Sequence, residues 1–423
     1  MSNPPRIKSL TVKGLFNQFD HHIDFNQEER ITILHGINGV GKTTLLRMIN
    51  SLFNFRIYSF NEIPFISFVI ELSNGDQIAI KRQHNNSGNI IYIYINNKKI
   101  KYTNFDIRDF INRFPWISKI EDEIFYDHRM EEPLSLEEVI ERYENRFPRN
   151  GTVKNSELIA KLGHISVQFI EASRLLCIVK RDELHKRKEI ITHTVKIYAS
   201  ELQQHIESTM ADYAKKAQEL EQTFPFRLLK PSENYTYEQL KEHIVDLQNK
   251  RDELRAIGLL PKTDSASLDA NSIDSLETQH AAVMNLYVKD SEEKIAVLES
   301  LSEKIKLLLK IINSKFQGKE LRIDYKKGLV IIGKDGEIDP ALLSSGEQHE
   351  LVMFYDLIFK VEPNTLVMID EPELSLHITW QSKFIDELKE IVEHSKFDVL
   401  VATHSSTIVG ENSHLIVGLG INE

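Results

Sequence analysis

The chain has 423 residues, 41% hydrophobic and 27% charged, ordinary proportions for a globular protein long enough to bury more than one core. No run approaches the ~18 apolar residues a membrane helix needs, the start Met1-Ser-Asn-Pro-Pro-Arg6 lacks the apolar core of a secretory signal, and the single Cys177 excludes an internal disulfide framework. A cytoplasmic protein without a membrane partner is expected. Its 52 basic and 63 acidic residues leave a formal charge of −11, so charge does not indicate a dedicated DNA binder, although a local basic groove stays open.

In chain order, alternating apolar positions around Leu10-Thr-Val12 and His22-Ile-Asp-Phe25 predict two strands between Ile7 and Phe25. Ile31-Thr-Ile-Leu34 is a short apolar strand followed at once by a glycine-rich turn. Leu45, Leu46, Ile49, Leu52 and Phe53 then recur at helical spacing over Lys42 to Phe53. Residues 56–104 are strand-rich, with turns at Ser73-Asn-Gly75 and Asn85-Asn-Ser-Gly88 and a strong β run at Ile90–Ile95, an antiparallel sheet beside the turn. Residues 105–160 read as mixed and mostly helical, with Ser135-Leu-Glu-Glu138 as a helix start. Ile165–Ile170 is a buried strand leading into Glu171-Ala-Ser-Arg174.

From about residue 178 to 316 the pattern turns helical. Ile191, Val195, Tyr198, Leu202, Ile206 and Met210 recur every three or four positions, as do Leu240, Ile244, Leu247 and Leu254, and on the returning arm Ile295, Leu298, Leu301, Ile305, Leu308 and Ile312. Phe224-Pro225, Leu260-Pro261 and the polar tract Thr263–Ser275 mark bends or a tip. This predicts an inserted antiparallel, coiled-coil-like helical hairpin, with an ordinary packed helical subdomain as the alternative. The basic run Lys180, Arg181, Lys186, Arg187 and Lys188, interrupted by Asp182, Glu183 and Glu189, reads at helical spacing as a solvated face rather than a nucleic-acid patch. A β-hairpin, Leu321–Tyr325 and Leu329–Ile332, follows around Lys326-Lys-Gly328.

The chemistry lies in the outer segments. Gly36-Ile-Asn38-Gly39-Val-Gly41-Lys42-Thr43 is a P-loop pattern between a predicted strand and a predicted helix. Its glycines let backbone N–H groups turn towards phosphate, the helix adds its positive end, Lys42 reaches the β- and γ-phosphates, and Thr43 ligates Mg²⁺. Asn38, Gly39, Gly41, Lys42, Thr43 and Thr44 form the expected nucleotide-contacting set. Leu366-Val-Met-Ile-Asp370-Glu371 is an apolar strand ending in two carboxylates, the Walker B pattern. Asp370 is expected in the Mg²⁺ shell and Glu371 as the general base for water. ATP and Mg²⁺ are therefore the expected cofactors.

Two further motifs carry a family resemblance. Leu342-Leu-Ser344-Ser345-Gly346-Glu347-Gln348, about twenty residues before Walker B, resembles the signature motif of ABC-type ATPases, and Val399-Leu-Val-Ala-Thr-His404 resembles their switch-histidine strand. P-loop, signature, Walker B and switch stand in the ABC order, with Glu373-Leu-Ser-Leu-His377 in the place of the D-loop. The resemblance implies an α/β ABC ATPase P-loop fold. In such a fold Ser344, Ser345, Gly346 and Glu347 complete the γ-phosphate site of a second copy in a head-to-tail dimer, and His404 acts beside Lys42 and Glu371 in catalysis. It also asks for a Q-loop residue, for which Gln168 and Arg174 both stand, and an adenine platform, for which Phe16 and Phe19 are candidates. Residues 1–175 would be the N-terminal lobe, 176–317 the helical insertion and 318–423 the C-terminal lobe.

Asp370-Glu-Pro-Glu-Leu-Ser-Leu-His377 followed by Trp380-Gln381, and the long insertion, depart from transporter ATPases and resemble the RecF/SMC-like and OLD-like branch (AAA_15- and AAA_21-like). Only 19 residues follow His404, which suits stand-alone ATPase subunits of anti-phage systems, PARIS-type first and Septu-type second. That resemblance implies a larger homo-oligomer, a separately encoded Toprim-type effector nuclease and a phage-encoded trigger protein. A DNA-clamping repair ATPase is the alternative.

Overall fold

The computed structural model describes residues 4–85, 88–100, 114–121, 124–130, 132–135, 139, 156–170, 176–183, 186–229, 235–261, 278–374 and 376–419. In chain order the elements begin with strands β1 (Ile7–Leu15), β2 (Phe19–Asp24) and β3 (Ile31–His35), then helix α1 (Lys42–Phe53). Strands β4 (Ser67–Leu72), β5 (Gln77–Asn85), β6 (Gly88–Ile95), β7 (Lys98–Ile100), β8 (Ile117–Glu121), β9 (Ile124–Asp127) and β10 (Glu132–Ser135) follow. Helix α2 (Ser156–Leu162) leads into β11 (Val167–Ile170), β12 (Leu176–Glu183) and β13 (Lys186–His193). The long helices are α3 (Thr194–Leu228), α4 (Tyr237–Ala256) and α5 (Thr278–Asn313). Strands β14 (Lys319–Asp324), β15 (Gly328–Gly333) and β16 (Gly336–Ile338) precede α6 (Ser345–Tyr355), β17 (Leu366–Asp370), α7 (Phe384–Ser395), β18 (Asp398–Thr403) and β19 (Ile416–Gly418).

The chain separates into two compact units, the first made of Met1–Glu171, Val361–Leu374 and Gln381–Glu423, the second of Ala172–Lys360 and Ser375–Trp380. Residues 318–360, including the Ser344–Glu347 motif, thus group with the long helices.

The first unit holds a parallel sheet in the order β11-β17-β18-β3-β19 and an antiparallel sheet in the order β2-β1-β4-β5-β6-β7. One core joins them. Leu45, Leu46, Ile49 and Leu52 of α1 pack with Leu10, Val12, Phe68 and Ile70 of the antiparallel sheet and with Leu366, Met368, Leu400 and Ala402 of the parallel one. Each fully buried Leu or Ile is worth roughly 1.5–3 kcal/mol of transfer free energy, so α1 is fixed by a face that spans two layers. The strands β8, β9 and β10 form a separate antiparallel sheet, where the sequence pattern predicts mostly helix. Isoleucine and aromatic side chains at Ile117, Ile124, Phe125 and Tyr126 favour the pleated state over the weak helical spacing. The helix start expected at Ser135–Glu138 lies, apart from Ser135 itself, outside the described residues.

In the second unit the basic run is a β-hairpin, not a helical face: Arg181 pairs with Lys188 and Asp182 with Arg187. The β-branched residues Ile178, Val179, Ile190, Ile191 and Thr192 on its two strands override the helical spacing of the charges. The helical insertion therefore starts at Thr194. Ion pairs Lys216–Glu293 and Arg227–Asp290 show α3 antiparallel to α5, while the ion pairs Lys250–Glu299 and Glu253–Lys306 and the hydrogen-bond contact His243–Glu292 show α4 parallel to it. The expected antiparallel hairpin is present in α3 and α5, with α4 laid alongside. Pro225 does not break α3, which continues to Leu228. It lies in the last turn, where the missing N–H forfeits a single bond and Arg227 is anchored to Asp290. The β-hairpin expected around Lys326–Gly328 is β14–β15, extended by β16. No helix among the described residues is long and apolar enough to cross a membrane.

Candidate functional site

Parallel pairing sets the frame. Asp370 of β17 is in register with Ala402 of β18, and Thr403 of β18 with His35 of β3. Three neighbouring strands thus deliver the P-loop, the Walker B carboxylates and His404 at one carboxyl edge, where open parallel sheets bind their ligands.

The P-loop backbone is glycine-dependent at two places. Gly39 and Gly41 have φ of 90° and 96°, and a Cβ on Gly41 would lie 2.5 Å from Leu15 Cδ2. A Cβ on Gly39 would meet nothing within 4 Å, so that side of the loop is open to a ligand. Gly41 is the N-cap of α1 and supplies no side-chain cap, which leaves the first-turn N–H groups and the positive helix end for an anion. Lys42 is buried, and its ammonium donates to the carbonyls of Gly36 at 2.7 Å and Ile37 at 3.1 Å. Buried His21 on β2 holds the loop from below, Nε2 lying 2.8 Å from the Val40 carbonyl. A carbonyl only accepts, so Nε2 carries the proton. The sequence pattern does not single out His21, because alternation on β2 marks it only as an inward-facing position.

At the end of β17 Asp370 stands beside Thr43, and its Oδ1 is buried without a hydrogen-bond partner. Burial pushes the Asp370 carboxyl up, with Glu371 adding to the rise, while Thr43, Arg47 and Lys42 oppose it. A buried carboxylate oxygen with no donor next to a helix N-terminus suits a hard cation brought in with phosphate. Among the described residues no group of three or more His, Cys, Asp or Glu gathers to hold a metal without it. Thr43 and Asp370 therefore fit Mg²⁺, and the Gly39–Thr44 backbone with Lys42 fits a nucleotide's phosphates.

Glu371 leaves the strand with φ of 44° while its N–H donates to Ala402 O at 2.8 Å. A non-glycine residue in this region stores strain that the surrounding sheet must impose, and it swings the carboxylate out of the strand line. His404 Nδ1 lies 3.8 Å from Glu371 and 2.9 Å from Glu373. Sequence alone marks Glu373 only as part of the D-loop. Its carboxylate is 6% exposed and also accepts the Thr403 hydroxyl at 2.7 Å and the His404 N–H at 2.9 Å. The second acid of Asp370-Glu-Pro-Glu373 is the signal that could have found it.

The other expected residues are distributed as follows. Asn38 is exposed at the loop tip and Thr44 half-buried in the first turn of α1. Gln168 pairs with Val367, three residues before Asp370 and so about 10 Å back along the strand; Arg174 lies outside the described residues. Phe16, at φ of 55° and 40% exposed, puts Cε2 3.3 Å from the position a Gly41 Cβ would take. Phe19 instead stacks on His21 at 5.8 Å. In the second unit Ser344 caps α6 in a capping box with Glu347, and Ser344 and Ser345 are exposed. Lys319 Nζ lies 2.8 Å from Glu347, and Lys315 pairs with Glu350 in the buried interior at 2.6 Å. Burial works against the charge of Glu347, but Lys319 and Ser344 outweigh it and hold the carboxyl below its ordinary range.

Fold and site together define an α/β P-loop protein of the ABC type. Residues 31–410 match the family described as AAA domain, putative AbiEii toxin, Type IV TA system, and the chain belongs to that family. No curated protein matches it. It is similar to solved SMC head domains, among them the three described next. One, from Pyrococcus furiosus with an extended coiled coil and bound to the C-terminal domain of ScpA, is 15% identical, with 98% of this chain and 93% of that one covered and a TM-score of 0.42. One from Thermotoga maritima is 14% identical over 98% and 94%, with a TM-score of 0.36. One from Pyrococcus yayanosii, with a coiled coil and joint, is 13% identical over 99% and 95%, with a TM-score of 0.35.

Proposed function

We propose that the protein binds and hydrolyses Mg²⁺–ATP and uses the nucleotide as a gate, as the sensor and scaffold subunit of a bacterial anti-phage system that controls a separate effector nuclease. The observation that carries the ATPase reading is the buried, donor-less Oδ1 of Asp370 beside Thr43 at the mouth of an uncapped P-loop helix. Here Lys42 and the loop amides bind and orient the phosphates, Glu371 takes the proton of the attacking water, and His404 steadies the γ-phosphate; Thr43 and Asp370 would hold Mg²⁺, which would supply charge neutralisation for the transferred group. Ser344, Ser345, Gly346 and Glu347 act on the nucleotide of a second copy. Single large apolar side chains stand in water beside the motifs: Ile37 and Leu374 in the first unit, Leu342 and Ile378 in the second. The defence setting rests on the family description, which names a toxin of a toxin–antitoxin system, on the acidic net charge, and on the resemblance of Asp370–His377 and Trp380-Gln381 to the OLD-like branch. Phage challenge of cells carrying the gene with its neighbours tests this: a Toprim-type nuclease gene required for protection supports the PARIS-type reading, an HNH nuclease gene the Septu type, and protection by neither removes it. Mixing Lys42→Ala chains with Gly346→Asp chains tests the shared site, since one intact composite site should restore hydrolysis.

A second reading is a DNA-clamping repair ATPase. The register of β12 and β13 bears on it, because it sets Arg181 opposite Lys188, while Lys180 and Arg187 fall opposite Glu189 and Asp182. A salt-dependent DNA affinity with DNA-stimulated hydrolysis would place the protein there.

A further inference from the structure

We propose that Glu373 is a positioning residue for hydrolysis: its buried carboxylate holds His404 through Nδ1, so that Nε2 is the nitrogen presented to the γ-phosphate. This rests on the reading of His404 as the switch histidine. Two carboxylates face that ring. The nearer is Glu373, at 2.9 Å from Nδ1, while Glu371 stands at 3.8 Å. The same oxygen of Glu373 that approaches Nδ1 also accepts the Thr403 hydroxyl and the His404 backbone N–H. One buried oxygen therefore accepts two hydrogen bonds, from the last strand residue and from the backbone of the first switch residue, and stands 2.9 Å from that residue's Nδ1; Thr403 itself is fully buried.

The arrangement divides labour between the two acids. With Glu373 the acid nearer to Nδ1, Glu371 is not consumed in orienting the imidazole and keeps its carboxylate for water. The other end of Glu373 is itself anchored: its backbone carbonyl receives Gln381 Nε2 at 3.4 Å, and Gln381 Oε1 accepts the Ser405 hydroxyl at 3.1 Å. Residues 373, 381 and 403–405 thus form one hydrogen-bonded frame around the histidine. The remaining oxygen of Glu373 is buried without a partner, an arrangement unfavourable for stability alone. A histidine's reactive nitrogen is set by what its other nitrogen binds, and partners of this kind typically change activity by about 10–100-fold when removed.

The test combines kinetics with the protonation of the ring. Glu373→Ala should lower kcat for ATP about 10–100-fold and leave ATP affinity within about twofold; on a His404→Ala background it should cost nothing further, since the acid acts through the ring. In the wild-type chain, ¹⁵N spectra of histidine-labelled protein, with His404 assigned by loss of its signal in His404→Gln, should show a proton on Nδ1 in the neutral ring. An Nε2–H tautomer in wild-type protein overturns the inference, and this readout needs no Glu373 variant to fold. If His404→Ala hydrolyses ATP at the wild-type rate, the switch reading itself falls. If His404→Ala is impaired but Glu373→Ala matches wild type, or the two losses multiply, only the role given to Glu373 falls.

Discussion

Helices α1 and α6 both begin at a glycine-bearing motif, and their first turns are completed in opposite ways. At α1 the N-cap is Gly41, with no side-chain cap, a left-handed backbone and a lysine folded onto the loop's own carbonyls. At α6 the N-cap is Ser344, closed by a reciprocal capping box with Glu347 and backed by Lys319. Against Gly at the N-cap, a capping Ser is worth only about a few tenths of a kcal/mol, so α1 forgoes a little stability that α6 keeps. The first turn of α1 is built to receive its missing hydrogen bonds from a ligand. That of α6 arrives largely satisfied and offers a solvent-facing tip, Ser345 and the Gly346 backbone, to whatever approaches it.

The largest effect should come from removing the charge that answers the ligand. Lys42→Ala should weaken ATP binding at least ~100-fold, the loss of two or more charge-assisted hydrogen bonds, measured with a fluorescent ATP analogue; retained affinity would mean that the loop amides suffice. Glu371→Gln comes next. It should leave that affinity within about twofold and lower kcat about 10²–10⁴-fold, as expected for loss of a general base, and by single-turnover assay the nucleotide should persist unhydrolysed. His21→Leu should be smaller: an unpaired buried carbonyl at Val40 costs about 1–3 kcal/mol, which loosens the loop and weakens ATP binding roughly tenfold without a matching change in kcat.

Much of this site is legible in the order of residues alone, because its motifs coincide with changes of period. Lys42 to Phe53 is delimited by a glycine turn and an apolar 3.6-residue stripe, and both limits agree with α1. The strands under Asp370 and His404 are legible because a sheet buried on both faces reads as a continuous apolar run. What spacing does not carry is contact between distant residues. His21 supporting Val40, and Glu373 reaching the end of β18, follow from strand order, which no local pattern encodes. The stretch 178–193 misleads for the opposite reason: its charges fall at helical intervals, while the β-branched residues between them decide the pairing. Motif logic puts Gln168 on a real strand, yet register sets it opposite Val367 rather than beside Asp370.

The smallest effects sharpen the contrast between the two helix starts through pH. Glu347 has its carboxyl held below the ordinary range, so its contribution to stability is fully present above the unfolded value of ~4.3 and fades as pH falls through the folded one. Thermal melts should therefore show Glu347→Gln less stable than wild type at neutral pH, with the gap closing in acid. Asp370 has its carboxyl pushed up by burial, which reverses the sign: the charged form weighs against folding above the folded value, and the penalty is relieved as pH falls through it towards the unfolded one. Asp370→Asn should accordingly melt slightly higher than wild type at neutral pH in the absence of nucleotide, a shift of a few degrees at most, and lose the extra stability that Mg²⁺–ATP confers on wild type. If both substitutions move the melting temperature in the same direction at neutral pH, the division between a ligand-completed and a self-completed helix start is wrong.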